Sequence, residues 1–204
     1  DLAEAIADGY LVDYRTVEAL LRIPSDGIKY DDLSDEEKEQ FEAEFADEGI
    51  TEVVPAAINQ WVFNKDTIDK VIHHFMEHGL RDSSGNEIGQ TIIFAANQHH
   101  AEIIKERFDI LYPEKGSQYT QVITYSVNYA QDLIDRFSVK DKLPQVAISV
   151  NMLDTGIDIP EIVNLVFFKK VRSKTMFWQM IGRGTRLCPD LFGPGLNKEK
   201  FYIF

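Results

Sequence analysis

The chain has 204 residues, of which 44% are hydrophobic and 27% are charged, and its formal net charge is −13. This length favours a single domain with an attached segment over two full domains. No run of 18 consecutive apolar residues occurs and the first residues lack a basic and apolar leader, so the sequence supports neither a membrane span nor secretion and indicates a cytoplasmic protein.

Charge is unevenly distributed along the chain. Between Asp31 and Glu52 there are eleven acidic residues and one basic residue, whereas Lys140 to Phe204 carries ten basic and six acidic residues. A polyanion would therefore bind at the C-terminal part, because phosphate neutralisation requires lysine and arginine. The acidic total implies that another part of a larger protein supplies much of the charge for binding nucleic acid.

Residues 1–60 predict a mixed, partly helical acidic segment. Residues 9–15 alternate as in a short strand, and Ser34 with Glu37 forms a capping box that predicts a helix to about Asp47. That helix is nearly all charge. We interpret it as a solvated surface helix, and a docking surface for a partner is the alternative.

Residues 61–204 alternate between helix and strand patterns. Ile68, Ile72, Phe75 and Met76 give one apolar face to a helix predicted over residues 66–78. The sequence further predicts strands at 91–95, 121–125, 145–150, 162–168 and 201–204. It predicts helices at 98–107, with Asn97 as the N-cap, at 130–137 and from about 173. This alternation predicts a parallel sheet covered by helices on both faces. Ligands bind beyond the carboxyl ends of such strands, so we expect the loops after the first four strands to share one functional edge.

The most informative motif is QMIGRGTR, which ends the chain's last predicted helix. Arg183 and Arg186 lie three residues apart and should point to nearly the same side, while Gly182 and Gly184 leave the backbone close to a bound ligand. A planar, permanently charged guanidinium suits a phosphate, and an arginine from outside the phosphate-binding lobe stabilises charge during phosphoryl transfer. The alternative is a pair of surface arginines bonded to local carbonyls.

A second motif, NMLDTGIDIP, follows a predicted strand at residues 151–160. Gly156 permits close approach of backbone or ligand. The Asp158 carboxylate suits either a ribose hydroxyl or an arginine of the neighbouring loop. Asp158 followed by Pro160 is also typical of an ordinary turn.

Three stretches together resemble a known family. TIIFAANQHHAEII, AISVNMLDTGIDIPEIVNLVFFK and SKTMFWQMIGRGTRL, in this order and spacing, resemble motifs IV, V and VI of superfamily 2 helicases and translocases. DTGIDIPE and FWQMIGRGTRL are similar to the R subunit of type I restriction enzymes, and DGYLVDYR resembles the segment between the two motor lobes of that subunit. The resemblance implies a RecA-like α/β lobe, the helicase C-terminal lobe, at 61–204, preceded by an inter-lobe segment at 1–60.

The resemblance also implies roles for individual residues. Arg183 and Arg186, assisted by Gln179, are expected to reach the phosphates of ATP held by a first lobe. The residues implied to lie beside the nucleotide are Thr155, Gly156, Asp158 and Gly182, and those implied to face the DNA backbone are Ala96, Asn97, Thr124, Ser126 and Asn151. The implied partners are double-stranded DNA, the first RecA-like lobe, and methyltransferase and specificity subunits.

Two motifs of a complete motor are missing from the sequence. There is no G-x-x-x-x-G-K-[ST] phosphate cradle and no recognisable acidic box. We therefore expect ATP and Mg²⁺ to be held mainly by a first lobe elsewhere in a longer polypeptide, and the chain alone to be inactive. The alternatives are a lobe of another superfamily 2 helicase or type III restriction enzyme, and a non-catalytic α/β module that recruits other subunits.

Histidines and aromatic residues allow two further interpretations. His73, His74 and His78, and the pair His99 and His100, invite a metal hypothesis, but no cysteine cluster accompanies them and we expect no metal site. The other set, Trp61, Phe177 and Trp178, suits either base stacking or the core. We favour the core, which is the commoner place for aromatic residues at helix and strand positions.

Overall fold

The structure is a computed structural model that describes residues 2–17, 65–124, 129–139, 142–150, 152–153, 158–169, 171 and 173–204. The predicted acidic helix and the predicted domain boundary at residue 60 lie outside these residues, and both stay predictions.

Within the described residues, six strands form a single sheet in which every pairing is parallel. The strands are β1 (Asp13–Thr16), β2 (Thr91–Ala95), β3 (Thr120–Ile123), β4 (Val146–Ser149), β5 (Asn164–Phe168) and β6 (Lys200–Ile203). Their order across the sheet is β1-β6-β5-β2-β4-β3. The predicted parallel sheet is therefore confirmed.

The described helices are α1 (Leu2–Ala7), α2 (Lys65–His78), α3 (Gln98–Leu111), α4 (Ala130–Phe137) and α5 (Lys174–Ile181), with a 3₁₀ turn at Pro113–Lys115. The predicted N-cap of α3 is confirmed, because the Asn97 side chain accepts from the His100 N–H. α3 runs one turn past its predicted end, since Phe108 continues the buried stripe of Ala101 and Ile104. None of these described helices is long and apolar enough to cross a bilayer.

Two apolar cores lie on opposite faces of the sheet because successive strand residues point to opposite sides. Ile92 and Phe94 of β2 pack into one core with residues of α4 and α5. Ile93 and Ala95 of the same strand pack into the other core with residues of α2 and α3. Helices therefore cover both faces of the sheet, as the sequence predicts.

The edge strand β1 comes from the segment that precedes the predicted lobe. It pairs with β6 along its whole length, from Asp13 opposite Lys200 to Thr16 opposite Ile203. Val12, just before the strand, is buried in the core that contains α5. Part of residues 1–60 thus belongs to the same sheet as residues 91–203.

Candidate functional site

Residues that follow β2 and β3 lie together at the carboxyl edge, the edge of the sheet where the strands end. The Ala96 N–H donates to His100 Nδ1 at 3.2 Å, and Asn97 caps α3. Thr124 follows β3, is buried, and donates from Oγ1 to Gln98 Oε1 at 2.6 Å. Three of the five residues assigned to DNA contact therefore share this edge, while Asn151 and Ser126 lie outside the described residues.

The two motif arginines follow α5 instead of lying within it. α5 ends at Ile181, and Gly182 is its C-cap with helical backbone angles. Both arginines come after the last helical residue, so the helical spacing from which a common side was predicted does not apply to them. Arg183 instead reaches back, its Nε donating to the Gln179 carbonyl at 3.3 Å.

Arg186 forms an ion pair that joins the two motifs singled out in the sequence. Its Nε lies 3.0 Å from Asp158 Oδ1, and the two side chains are 52% and 71% exposed. Of the partners considered for the Asp158 carboxylate, the structure shows the neighbouring arginine. Both groups stay accessible to solvent, so a ligand can reach either of them. Thr155 and Gly156 of the same loop lie outside the described residues.

This ion pair lies away from the carboxyl edge, towards the amino edge where the strands begin. Val163, five residues after Asp158, donates its N–H to the carbonyl of the residue before β2 at 3.0 Å. Thr185, next to Arg186, accepts at 2.9 Å from the residue before β1. Parallel strands require each connection to return to the amino edge. The loops after these strands do leave from one edge, as predicted, but the ion pair does not stay at that edge, so the two sets of site residues are separate.

Gly184 provides space for a ring of the sheet. A Cβ at this position would lie 2.3 Å from Phe201 Cδ2, far inside any real contact. The sequence interpretation assigned the small size of Gly184 to ligand approach, and the structure assigns it to packing against β6.

Lys198 is a site residue that the sequence analysis did not identify. It is 3% exposed, and its Nζ donates to the Pro160 carbonyl at 2.9 Å. Burial lowers the pKa of this ammonium to about 8, with the charges of Cys188 and Glu161 acting in the opposite direction. No periodicity or motif marks this position in the sequence, because the lysine lies in a loop and its burial depends on the path of another loop.

The aromatic residues of α5 are more exposed than we expected. Phe177 is 36% exposed and Trp178 is 40% exposed, whereas Met180 and Ile181 are the buried residues of this helix. The assignment of these two aromatics to the core is therefore wrong. α5 contacts the core mainly through its C-terminal end, although the Phe177 ring stays 5.5 Å from that of Phe167. Trp61 lies outside the described residues.

His74 and His100 pack against neighbouring rings. His100 is buried edge-on against Phe168, with ring centroids 4.7 Å apart. Burial, followed by the nearby His78, lowers the pKa of His74. The part of the chain that the structure describes contains no group of three or more His, Cys, Asp or Glu that could hold a metal ion.

A parallel α/β sheet with helices on both faces and an arginine motif paired to the β4–β5 loop defines a RecA-like lobe of the helicase type. The helicase conserved C-terminal domain matches residues 67–188, more than half of the chain, and the chain belongs to this family. Within it, the chain is a superfamily 2 C-terminal lobe similar to the endonuclease subunits of type I restriction enzymes.

Two curated relatives come from Escherichia coli. The type I restriction enzyme EcoKI endonuclease subunit of strain K12 is 28% identical, over 98% of this chain and 17% of that protein. The EcoAI endonuclease subunit is 26% identical, over 91% of this chain and 22% of that protein. The chain thus spans about a fifth of the length of these relatives.

Solved structures share the fold. A fragment structure from Vibrio vulnificus YJ016, named for an HsdR subunit of a type I restriction enzyme, superposes with a TM-score of 0.58 at 23% identity and covers 72% of this chain and 28% of that one. The ATP-dependent Type ISP restriction-modification enzyme LlaBIII, bound to DNA, gives 0.57 at 17% identity over 98% of this chain and 12% of that one.

Proposed function

We propose that the chain is the second motor lobe of an ATP-dependent DNA translocase in a type I restriction-modification enzyme. The observation that carries the proposal is the Arg186–Asp158 ion pair, which brings motifs V and VI together on an accessible surface. The family membership and the two restriction-enzyme relatives support it.

On the nucleotide side, Arg183 and Arg186 would contact the phosphates of ATP, which supplies the bond that is hydrolysed. An exposed ion pair is worth at most about 1 kcal/mol, so a phosphate can displace the Asp158 carboxylate from Arg186 at little cost. Gln179 lies on α5 beside Arg183. We assign lesser nucleotide contacts to Thr155, Gly156 and Gly182, and we assign Mg²⁺ to the first lobe.

On the DNA side, the carboxyl edge would follow the sugar-phosphate backbone. The residues assigned to it are Ala96, Asn97, Thr124, Ser126 and Asn151. Thr124 is the least accessible of those described, since it is buried against Gln98. The structure of LlaBIII bound to DNA supports DNA as the partner. We assign the remaining contacts to the first lobe, a methyltransferase subunit and a specificity subunit, in the cytoplasm.

Two alternatives make different predictions. A lobe of another superfamily 2 helicase or of a type III restriction enzyme would use the same arginines. The amino-acid sequence upstream of this lobe would distinguish those proteins from a type I enzyme. A non-catalytic α/β module that recruits other subunits would tolerate replacement of Arg183 or Arg186.

The decisive experiment replaces the arginines in the full-length protein. Arg183→Ala and Arg186→Ala are expected to lower the rate of ATP turnover by about 10³-fold or more, as loss of a transition-state arginine does, while DNA binding is retained. Turnover is measured by phosphate release and DNA binding by titration of a labelled duplex.

The matched control is Arg107→Lys. Arg107 pairs with Asp69 and joins α3 to α2 on the face of the sheet opposite α5, so this conservative replacement should leave turnover intact. Normal turnover in both arginine variants would exclude the motor function. The 204-residue chain alone should show no ATP hydrolysis, and detectable hydrolysis would contradict the assignment of ATP to a first lobe.

A further inference from the structure

A buried lysine connects the two segments that carry the Asp158–Arg186 ion pair. Lys198 donates from Nζ to the carbonyl of Pro160, two residues after Asp158, at 2.9 Å. Its backbone N–H donates to the carbonyl of Cys188, two residues after Arg186, also at 2.9 Å. A single residue thus holds both segments on the side away from the ion pair.

These contacts close a ring. Starting from the ion pair, the chain runs from Asp158 to Pro160, across the Nζ bond to Lys198, from its N–H to Cys188, and back to Arg186. The ion pair is exposed and weak by itself. The opposite side of the ring is buried, and a hydrogen bond from a charged donor is stronger there than at the surface.

We propose that Lys198 is a positioning residue that fixes the distance between the Asp158 loop and the segment carrying Arg186. This proposal rests on the proposed motor function, because the distance matters only if Arg186 must reach a phosphate. Lys198 does not itself touch the nucleotide in this arrangement.

The choice of residue supports a role beyond packing. An apolar side chain would fill the same space without the cost of burying an ammonium group. The same burial lowers the pKa of Lys198, because the charged form is the one that loses its hydration. The lysine instead provides a donor that reaches the Pro160 carbonyl from the loop before β6.

The test uses the full-length protein with Lys198→Met, which keeps an unbranched side chain one atom shorter and removes the donor. Amide hydrogen exchange in residues 158–162, measured without nucleotide, should become about tenfold faster or more when one charge-assisted hydrogen bond is lost. Exchange in β2 should be unchanged, which shows that the variant is folded. The matched control is Lys200→Met, because the Nζ of Lys200 lies over the half-buried ring of Tyr202, 5.9 Å from its centroid, and among the described residues bonds neither motif segment.

Turnover supplies the second measurement. Lys198→Met should lower kcat by roughly ten- to hundredfold, the size of loss caused by a misplaced catalytic group. KM for ATP should stay near that of the wild type, since the lost interaction acts on the transition state. Lys198→Gln, which keeps an N–H donor and removes the charge, should lie between Met and wild type, and it replaces Lys198→Met if exchange in β2 shows that variant to be unfolded.

Each outcome is decisive. Unchanged exchange in residues 158–162 would show that Lys198 does not hold the loop, and faster exchange with wild-type kcat would show that holding it does not position Arg186. Normal turnover in Arg183→Ala and Arg186→Ala overturns the motor function instead, and the exchange measurement still reports on the Lys198 contacts in that case.

Discussion

Two ion pairs in this lobe have similar chemistry and different surroundings. Arg186 and Asp158 meet at the surface with more than half of each side chain exposed. Arg107 meets Asp69 through two bonds of 2.6 and 2.7 Å with both side chains about one-fifth exposed, and this pair joins α3 to α2. Solvent screens the first pair far more than the second.

Asp158→Ala should therefore change the free energy of unfolding of the 204-residue chain by less than about 1 kcal/mol. Asp69→Ala should cost roughly 1.5–3 kcal/mol, because it leaves a half-buried guanidinium without its bidentate partner. Urea unfolding of both variants at one ionic strength checks the order. Equal losses would mean that the surface pair contributes as much to stability as the shielded one.

For single residues, the sequence allowed a prediction where the partner is near in the chain or where a motif marks the position. Asn97 is recognisable as a helix cap because its partner is three residues away. Asp158 and Arg186 were recognisable because glycine-rich motifs surround them, and an arginine was among the partners considered for Asp158. Lys198 was not recognisable, because its partner Pro160 is 38 residues distant.

At the scale of elements, the segment after α5 is shaped by its contact with β6. Gly184 lies against the Phe201 ring, and Thr185 bonds the chain just before β1. Gly182 is less constrained, since a Cβ there would meet its nearest atoms at 3.3 Å. The two glycines of this motif therefore differ, because a side chain is sterically excluded at Gly184 and not at Gly182.

Gly184→Ala should lower the free energy of unfolding by about 1–3 kcal/mol, the usual cost of overpacking a rigid site. Gly182→Ala should cost less, and Phe201→Leu should recover part of the loss when combined with Gly184→Ala. Thermal or urea unfolding of the single and double variants measures the coupling. Strictly additive losses would show that the two side chains do not compete for the same space.

The boundaries of helices and strands could be predicted from local sequence patterns. The separation of the carboxyl-edge residues from the Asp158–Arg186 ion pair could not. Residues 91–95 are recognisable as an unbroken apolar run, all of which is buried, and the 66–78 helix is recognisable because its apolar residues repeat with the helical period. The position of Asp158 depends on how far the β4–β5 connection has travelled back towards the amino edge. That path is decided by tertiary contacts, among them the Val163 bond to the residue before β2.

At the scale of the whole molecule, one buried charge makes the folding equilibrium depend on pH. The pKa of Lys198 falls from 10.5 to about 8 on folding. Between these values the unfolded chain binds more protons than the folded chain, so the contribution of Lys198 to the free energy of unfolding rises with pH. A depression of this size corresponds to roughly 3 kcal/mol.

The difference in unfolding free energy between wild type and Lys198→Met should therefore shift in favour of the wild type as the pH is raised from about 7.5 to about 10. Burial and Glu87 raise the pKa of Tyr119, which opposes stability in alkali, but both proteins share this effect and it cancels. Urea unfolding at several pH values gives the difference. A pH-independent difference would show that the ammonium is not desolvated in the folded state.

The fold class was predictable at this scale because alternating helices and buried strands leave few other arrangements. The pairing of β1 with β6 was not predictable, because no local pattern records which distant strand completes an edge.

That pairing gives the lobe a particular order of assembly during synthesis. Among the described strands, β1 has β6 as its only neighbour, and β6 is the last of them to leave the ribosome. β1 therefore cannot pair until β6 has been synthesised. Pairing of strands so far apart in the sequence is slow, because a long loop must close first. Until then β5 presents an unpaired edge, so the nascent lobe is most vulnerable to mispairing with other chains in the interval before residue 203 has been translated.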